Sequence, residues 1–383
     1  MISMGIEGQW KLELGLEYKG SPVSDNELAA IVPSDLKEFY IIEETGNNLP
    51  TYSIGFLSSD RWKRYWNENS HLKIAMSTGT TNKKVVDTKV AILSKDARDI
   101  GNGKFHYSSQ GVYVGDKNAT VMCQTPYIQT LGPSTGTDCL EACAKKFFSK
   151  VTNNASSTGK HPWFQGHQSY KKVMDHVVQH SFIDKSFVTI GITMNGEYII
   201  IDTAKKCSGQ EDWTIGGSGD KDIPLLHPPT LMSRSGALNT FGGYGLDLPI
   251  ISAEHGIRTN YSVDIQLNMT GKKSPETGNV QRRTLAPVYF SGSNMDSGFV
   301  KAPVNYNYGQ MLLSMELLEM TSVALDCEVK VCDLLKVLDI GSGDNRANQD
   351  SSGKYLVGKV VRGIVDGMAL LTVQATRESG LQQ

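Results

Sequence analysis

Short apolar-rich runs, each closed by turn residues, recur through the first third of the chain, a pattern of strands rather than helices. The run at residues 37–44 ends in the turn Gly46-Asn47-Asn48 and resumes at residues 52–56. Residues 71–76, 84–93 and 104–114 extend the series. Short strands at this regular spacing predict a barrel or sandwich. Between Lys89 and Leu93 the alternation is not clean, which allows burial on both faces.

The period changes after residue 128. Ser134-Thr135-Gly136-Thr137-Asp138 is a capping cluster, and Leu140, Cys143 and Phe147 then fall on one helical face. Beyond a loop rich in Asn, Ser and Gly, a second helix is predicted at residues 168–181, with Tyr170, Val173, Met174, Val177 and Val178 inward. Strands at 187–194 and 198–204 flank Asn195-Gly196, a strong hairpin signal. Together these elements make a small α+β module.

Residues 205–285 are rich in Gly, Ser, Pro and Asn and carry few periodic signals, so extended loops or inter-domain connections are expected there. Regularity then returns, with a short helix at 306–313 and strands at 315–325, 334–340, 354–364 and 368–376, the last two joined at Asp366-Gly367. The predicted fold class is mainly β with a small α+β module. The predicted divisions are 1–128 (β-barrel domain), 129–204 (α+β module), 205–285 (loop-rich connection) and 286–383 (second β-barrel domain, taking in part of 205–285).

Composition narrows the classes. With 39% hydrophobic and 20% charged residues and a net charge of -2, the chain is a folded protein without the strong positive field of a dedicated nucleic-acid binder. No run of about 18 apolar residues predicts a membrane-spanning helix. The N-terminus lacks a basic region followed by an apolar run, so synthesis in the cytoplasm without secretion, and no stable membrane binding, are expected. Six cysteines, at 123, 139, 143, 207, 327 and 332, are too scattered in 383 residues for a disulfide framework.

Candidate chemistry is sparse. His176 and His180 lie four apart on the second helix and could share a metal, but the intervening residues lack the Glu of a zinc-protease motif. His161, His167, His227 and His255 are linked by no ligand spacing. Cys139 and Cys143 read as small core residues, whereas Cys327 and Cys332 flank a turn and could approach one another. Gly216-Gly217-Ser218-Gly219 and Gly242-Gly243-Tyr244-Gly245 lack the strand, helix and Lys of a phosphate loop and read as turns. Trp62, Arg64, Tyr65 and Trp66 could stack on nucleic acid, but packing or a subunit interface is the preferred reading. No catalytic, cofactor-binding or metal-binding residue is assigned.

Three stretches resemble the hub proteins of contractile-tail baseplates, the group containing the T-even phage hub and the matching part of type VI secretion spike proteins. One is the module, where a helix leads into His161-Pro162-Trp163-Phe164-Gln165-Gly166-His167-Gln168-Ser169-Tyr170 and then a helix and a strand pair. It looks like the family's Trp and Gln, then Ser or Thr, then helix. The second is Gly353-Lys354-Tyr355-Leu356-Val357-Gly358-Lys359-Val360-Val361, similar to the strand closing the family's last barrel. The third is the ending, Leu371 through Arg377-Glu378-Ser379. One departure is Cys332-Asp333, where the family often has Gly-Asp, so that a side chain stands where glycine relaxes the backbone.

The resemblance implies two tail-tube-like β-barrels per chain and a homotrimer whose six barrels match a sixfold tail tube, while its threefold axis matches a central spike. It implies as partners the spike, tail tube or tube-initiator proteins and baseplate wedge components, with DNA only a transient passenger of the lumen. The expected location is the virion tail baseplate, assembled in the host cytoplasm, and the expected role is non-enzymatic. Because Gln383 follows directly on the last barrel strand, the spike is expected to be a separate protein. The alternatives are a metal-dependent cell-wall hydrolase using His176 and His180, and a carbohydrate-binding β protein using exposed Trp62, Trp66 or Trp163.

Overall fold

The computed structural model describes the chain except for residues 7–8, 79–82, 125–126, 218, 234–245, 253–257, 270–282, 291–296, 326, 339–351 and 379–383. The N-terminal segment is built from β1 (Ile2–Ile6), β2 (Trp10–Tyr18), β3 (Ser21–Pro22), β4 (Leu36–Glu44), β5 (Thr51–Ser58), β6 (Ser70–Thr78), β7 (Lys84–Gly101) and β8 (Lys104–Tyr113). In β2, buried Leu12, Leu14 and Leu16 alternate with Lys11 and Glu13, the period-two signature of a half-buried strand. Strand β7 follows the same rule. Thr88, Val90 and Ile92 point inward while Leu93 is 62% exposed, so this strand is buried on one face and not on both.

The middle segment comprises α1 (Val121–Gln124), β9 (Tyr127–Ser134), α2 (Gly136–Ala144), β10 (Lys150–Asn153), β11 (His161–Gln168), α3 (Tyr170–His180), β12 (Val188–Ile192), β13 (Glu197–Asp202) and α4 (Thr203–Ser208). Strands β12 and β13 form the expected hairpin, with Gly196 at φ +79°, and β10 adds to β13 in parallel. Thr135 and Ser169 cap α2 and α3 by accepting the N–H groups of Asp138 and Lys172. The aromatic and Gln stretch is a strand, β11, paired antiparallel with β9.

Residues 205–285 are more structured than their composition suggests. They hold β14 (Trp213–Ile215), β15 (Thr230–Ser233), β16 (Leu246–Ser252), β17 (Arg258–Val263) and β18 (Arg283–Thr284). Strand β16 pairs antiparallel with β17 and parallel with β18 and β19 (Val288–Phe290). Leu267, Met269 and Val263 then pack with Tyr308, Leu312 and Leu313 in a second apolar core. The last segment contains α5 (Ser297–Leu313), β20 (Glu316–Ser322), β21 (Leu334–Val337), β22 (Gly353–Val365) and β23 (Met368–Arg377). Helix α5 begins well before the expected residue 306 and runs through Pro303.

Among the described residues, one fourteen-stranded sheet joins the two ends of the chain, in the order β1-β2-β6-β7-β8-β5-β4-β22-β23-β20-β15, with β3 on β2, β21 on β22 and β14 on β21 beside that path. The join is β4 against β22, with Ile42 opposite Val361 and Phe39 opposite Ile364. The chain is thus mainly β, and its large sheet curls as a half barrel beside a small α+β module.

Candidate functional site

The residues that carried the family resemblance hold strands and segments together. Across β9 and β11, the Trp163 indole donates to the Ser134 carbonyl at 3.1 Å, and the Gln165 amide, fully buried, donates to Gln168 O at 2.7 Å. Ser169 then caps α3, so Trp, Gln and Ser brace the ribbon and start the helix. At the C-terminal end, Arg377 forks between the Glu316 carboxylate on β20 and the Ser352 carbonyl, and its guanidinium lies 4.4 Å from the Tyr355 ring. The Glu378 carboxylate accepts the N–H groups of Leu267 and Met269, both at 3.2 Å, tying the last strand to the second core. Ser379 lies outside the described residues.

A second polar assembly sits where β4, the β12–β13 hairpin and β22 meet. Arg362 and Glu43 are both buried, 3.6 Å apart. Glu43 accepts the Met194 N–H at 2.8 Å, and Arg362 donates to the carbonyls of Cys327 and Val329. Burial pushes the Glu43 carboxyl above the usual range, against the pull of Arg362. The pair opens onto a cleft of about 480 Å³ lined also by Lys150, Glu197, Lys330 and Asp333. Burial likewise raises Asp333 to about 6, while its Oδ2 accepts the Trp213 indole N–H at 2.9 Å and the Lys330 N–H at 3.0 Å. Pattern reading passed over this seam, although an arginine inside the apolar run Val360-Val361-Arg362-Gly363-Ile364 was its visible signal.

At the departure from the family, Cys332 adopts φ +70°, the left-handed region where glycine is favoured. The turn keeps the glycine-type backbone with a side chain in place. Its N–H reaches Val357 O at 2.9 Å, and its thiol is buried. Among the described residues, Cys327 and Cys332 are not joined in a disulfide, and neither are Cys139 and Cys143, which are buried in α2.

His176 and His180 do come together, with ring centroids 4.0 Å apart. Both also face Phe299, 4.4 Å from His180 and 6.2 Å from His176, with Trp163 6.4 Å from His176 and His161 5.0 Å from the Phe299 ring. Burial lowers the proton affinity of both rings of the pair. Among the described residues, no group of three or more His, Cys, Asp or Glu side chains is placed to hold a metal ion. His255 and Gly242-Gly243-Tyr244-Gly245 lie outside the described residues. Gly216 follows β14 at φ +78°, and the Gly217 N–H donates to Asp222 Oδ1 at 2.8 Å; among the described residues no helix follows directly on the turn.

The tryptophans are not exposed. Trp62 and Trp66 are 0% and 1% exposed and interlock edge to face with Phe56, while Trp163 is 3% exposed. Their indole N–H groups are spent on backbone carbonyls, of Ala29 for Trp62 and Ser108 for Trp66. Stacking of these rings on a sugar or a base is therefore corrected to core packing, because burial and the carbonyl bonds occupy each ring.

The remaining feature is an arm. Strand β7 continues past the end of β6, accompanied among the described residues only by β8, and its residues 93–101 are largely exposed. Together these features are broad strand surfaces, an arm and buried polar ties.

No protein-family model and no curated protein matches the sequence. Solved structures do match in fold. A tail protein from Neisseria meningitidis MC58 superposes with a TM-score of 0.58 at 10% identity, covering 96% of each chain. The 43 kDa tail protein of prophage MuSo2 from Shewanella oneidensis gives 0.56 at 11% identity, covering 97% of this chain and 99% of that one. An E. coli component of the type VI secretion system, itself described as structurally similar to T4 bacteriophage tail proteins, gives 0.51 at 10% identity over 91% of this chain and 76% of that one. In fold, the chain is similar to phage tail and type VI secretion spike-related proteins, the group to which its module and its Arg377-Glu378 ending had pointed.

Proposed function

We propose that this chain is a structural, non-enzymatic baseplate hub of a contractile tail, acting as a homotrimer between a sixfold tail tube and a threefold central spike. The observation that carries the reading is the fold likeness to tail proteins along nearly the whole chain, 96% and 97% of it in two cases. In this reading residues 1–128 and 286–383 each supply one tube-like barrel, 129–204 are an inserted module, and 205–285 connect them. The β4–β22 pairing supports a rigid relation between the two halves, because continuous ladder bonds resist hinging. Three chains then offer six similar barrels to a tube and three equivalent edges to a spike, through contacts that close on themselves. A net charge of -2 suits a lumen that DNA must leave, since strong positive charge holds phosphate. The partners in this reading are the spike, tube or tube-initiator proteins and wedge components, and the location is the virion baseplate.

The test is native mass measurement of the purified chain, alone and co-expressed with the spike protein of the same tail. The expected result is a species of three times 41.9 kDa, formed alone or on adding spike. A chain that stays monomeric with spike present and cleaves cell-wall polymer sinks the proposal.

A further inference from the structure

The arm formed by β7 and β8 has an open edge. Strand β6 accompanies β7 only as far as the pair His71–Ala91, whereas β8 follows it to Gly101–Lys104. Among the described residues, the other side of residues 92–101 meets no strand, leaving roughly 30 Å of backbone edge. Such an edge is a template for a further strand. Two of its amides are occupied only locally, Ala97 N–H by Asp96 Oδ1 at 2.9 Å and Gly101 N–H by Asp99 Oδ1 at 2.8 Å.

The side chains along this edge are Lys95-Asp96-Ala97-Arg98-Asp99. This run is its own electrostatic complement. In an antiparallel pair centred on Ala97, Lys95 stands opposite Asp99 of the second copy, and Asp96 stands opposite Arg98. Each pairing occurs twice, with the Lys95–Asp99 pairs on one face and the Asp96–Arg98 pairs on the other. The Asp96–Arg98 pairs carry most weight, because Arg98 has no ion-pair partner in its own chain among the described residues, whereas Lys95 donates to Trp66 O at 3.0 Å.

We propose that two copies of the free chain associate through these edges as a twofold, antiparallel strand pair centred on Ala97. A twofold pair points its two chains in opposite directions, whereas a threefold ring points all chains one way. The pair is therefore a form of the unassembled protein that occupies the arm until ring assembly displaces it. The pairing itself rests on the arm, and only its displacement by ring assembly rests on the hub reading.

Sedimentation equilibrium and native mass measurement of the full chain, at low and high salt, test it. The expected result is a dimer that weakens with salt. Arg98→Asp sets two carboxylates opposite each other and is expected to raise the dimer dissociation constant on the order of tenfold or more. The charge swap Asp96→Arg with Arg98→Asp restores opposite charges and is expected to restore the dimer. All variants lie on the exposed arm, and an unchanged melting temperature verifies the fold. Dimerisation indifferent to Arg98→Asp, or not rescued by the swap, overturns the proposal. So does a monomer at every concentration. A trimer with no dimer also overturns it while leaving the hub reading standing.

Discussion

Arg377 ties β23 to β20 and to Ser352, and Arg377→Met isolates what that tie contributes. The substitution keeps most of the stem and removes the guanidinium. It leaves the Glu316 carboxylate, 12% exposed, without its cross-strand cation, and it removes the stacking on Tyr355. Removing one partner of a buried pair costs about 3–5 kcal/mol, mostly because the remaining charge stays desolvated. Unfolding entropy of about 2 cal/mol/K per residue over 383 residues converts this to a fall of about 4–6 °C in Tm. Replacing both partners, Arg377→Met with Glu316→Leu, removes the stranded charge and is expected to cost less than the single change. Urea unfolding followed by tryptophan fluorescence measures all three variants. A coupling of about 2 kcal/mol between the sites is expected. Additive effects, or a single-variant cost below about 1 kcal/mol, refute the reasoning.

Two further predictions use the seam and the helix. Burial raises the Asp333 carboxyl from 3.8 to about 6, so folding takes up a proton between these values and stability falls as pH rises from about 4 to about 6. Asp333→Asn is expected to flatten that slope by up to about 3 kcal/mol, and an unchanged pH dependence of urea unfolding counts against it. Gly309→Ala in α5 ordinarily gains about 1 kcal/mol of helix propensity. Here the new Cβ falls 2.2 Å from the Phe187 ring, so a net loss of about 1–3 kcal/mol is expected, and a raised Tm contradicts the packing.

Much of the local structure was written in periodicity. The α3 helix, the β12–β13 and β22–β23 hairpins and the strands β4 to β8 each carry their own signal, because a half-buried element records its inward face in its residues. Strand β2 is equally legible in Leu12, Leu14 and Leu16. Helix α5 was only half legible. It is packed on several sides, Gly298 against Phe182 and Gly309 against Phe187, so no single apolar stripe marks it, and Pro303 argues locally against it. In 205–285, β14 and β15 depend on partners far along the chain, β21 and β20, and strands of two to seven residues leave little periodic trace.

By itself, then, the sequence determined the class of the protein: mainly β, nearly neutral, with a small α+β module. Tertiary structure decided the rest. Only folding shows that Glu43 and Arg362 meet, that Trp62, Trp66 and Trp163 are buried, and that β4 and β22 make one sheet of the two ends. The physical reason is one of range. Periodicity reports which face of an element leaves water, whereas pairing across more than 300 residues depends on which faces find each other, and no local pattern encodes that.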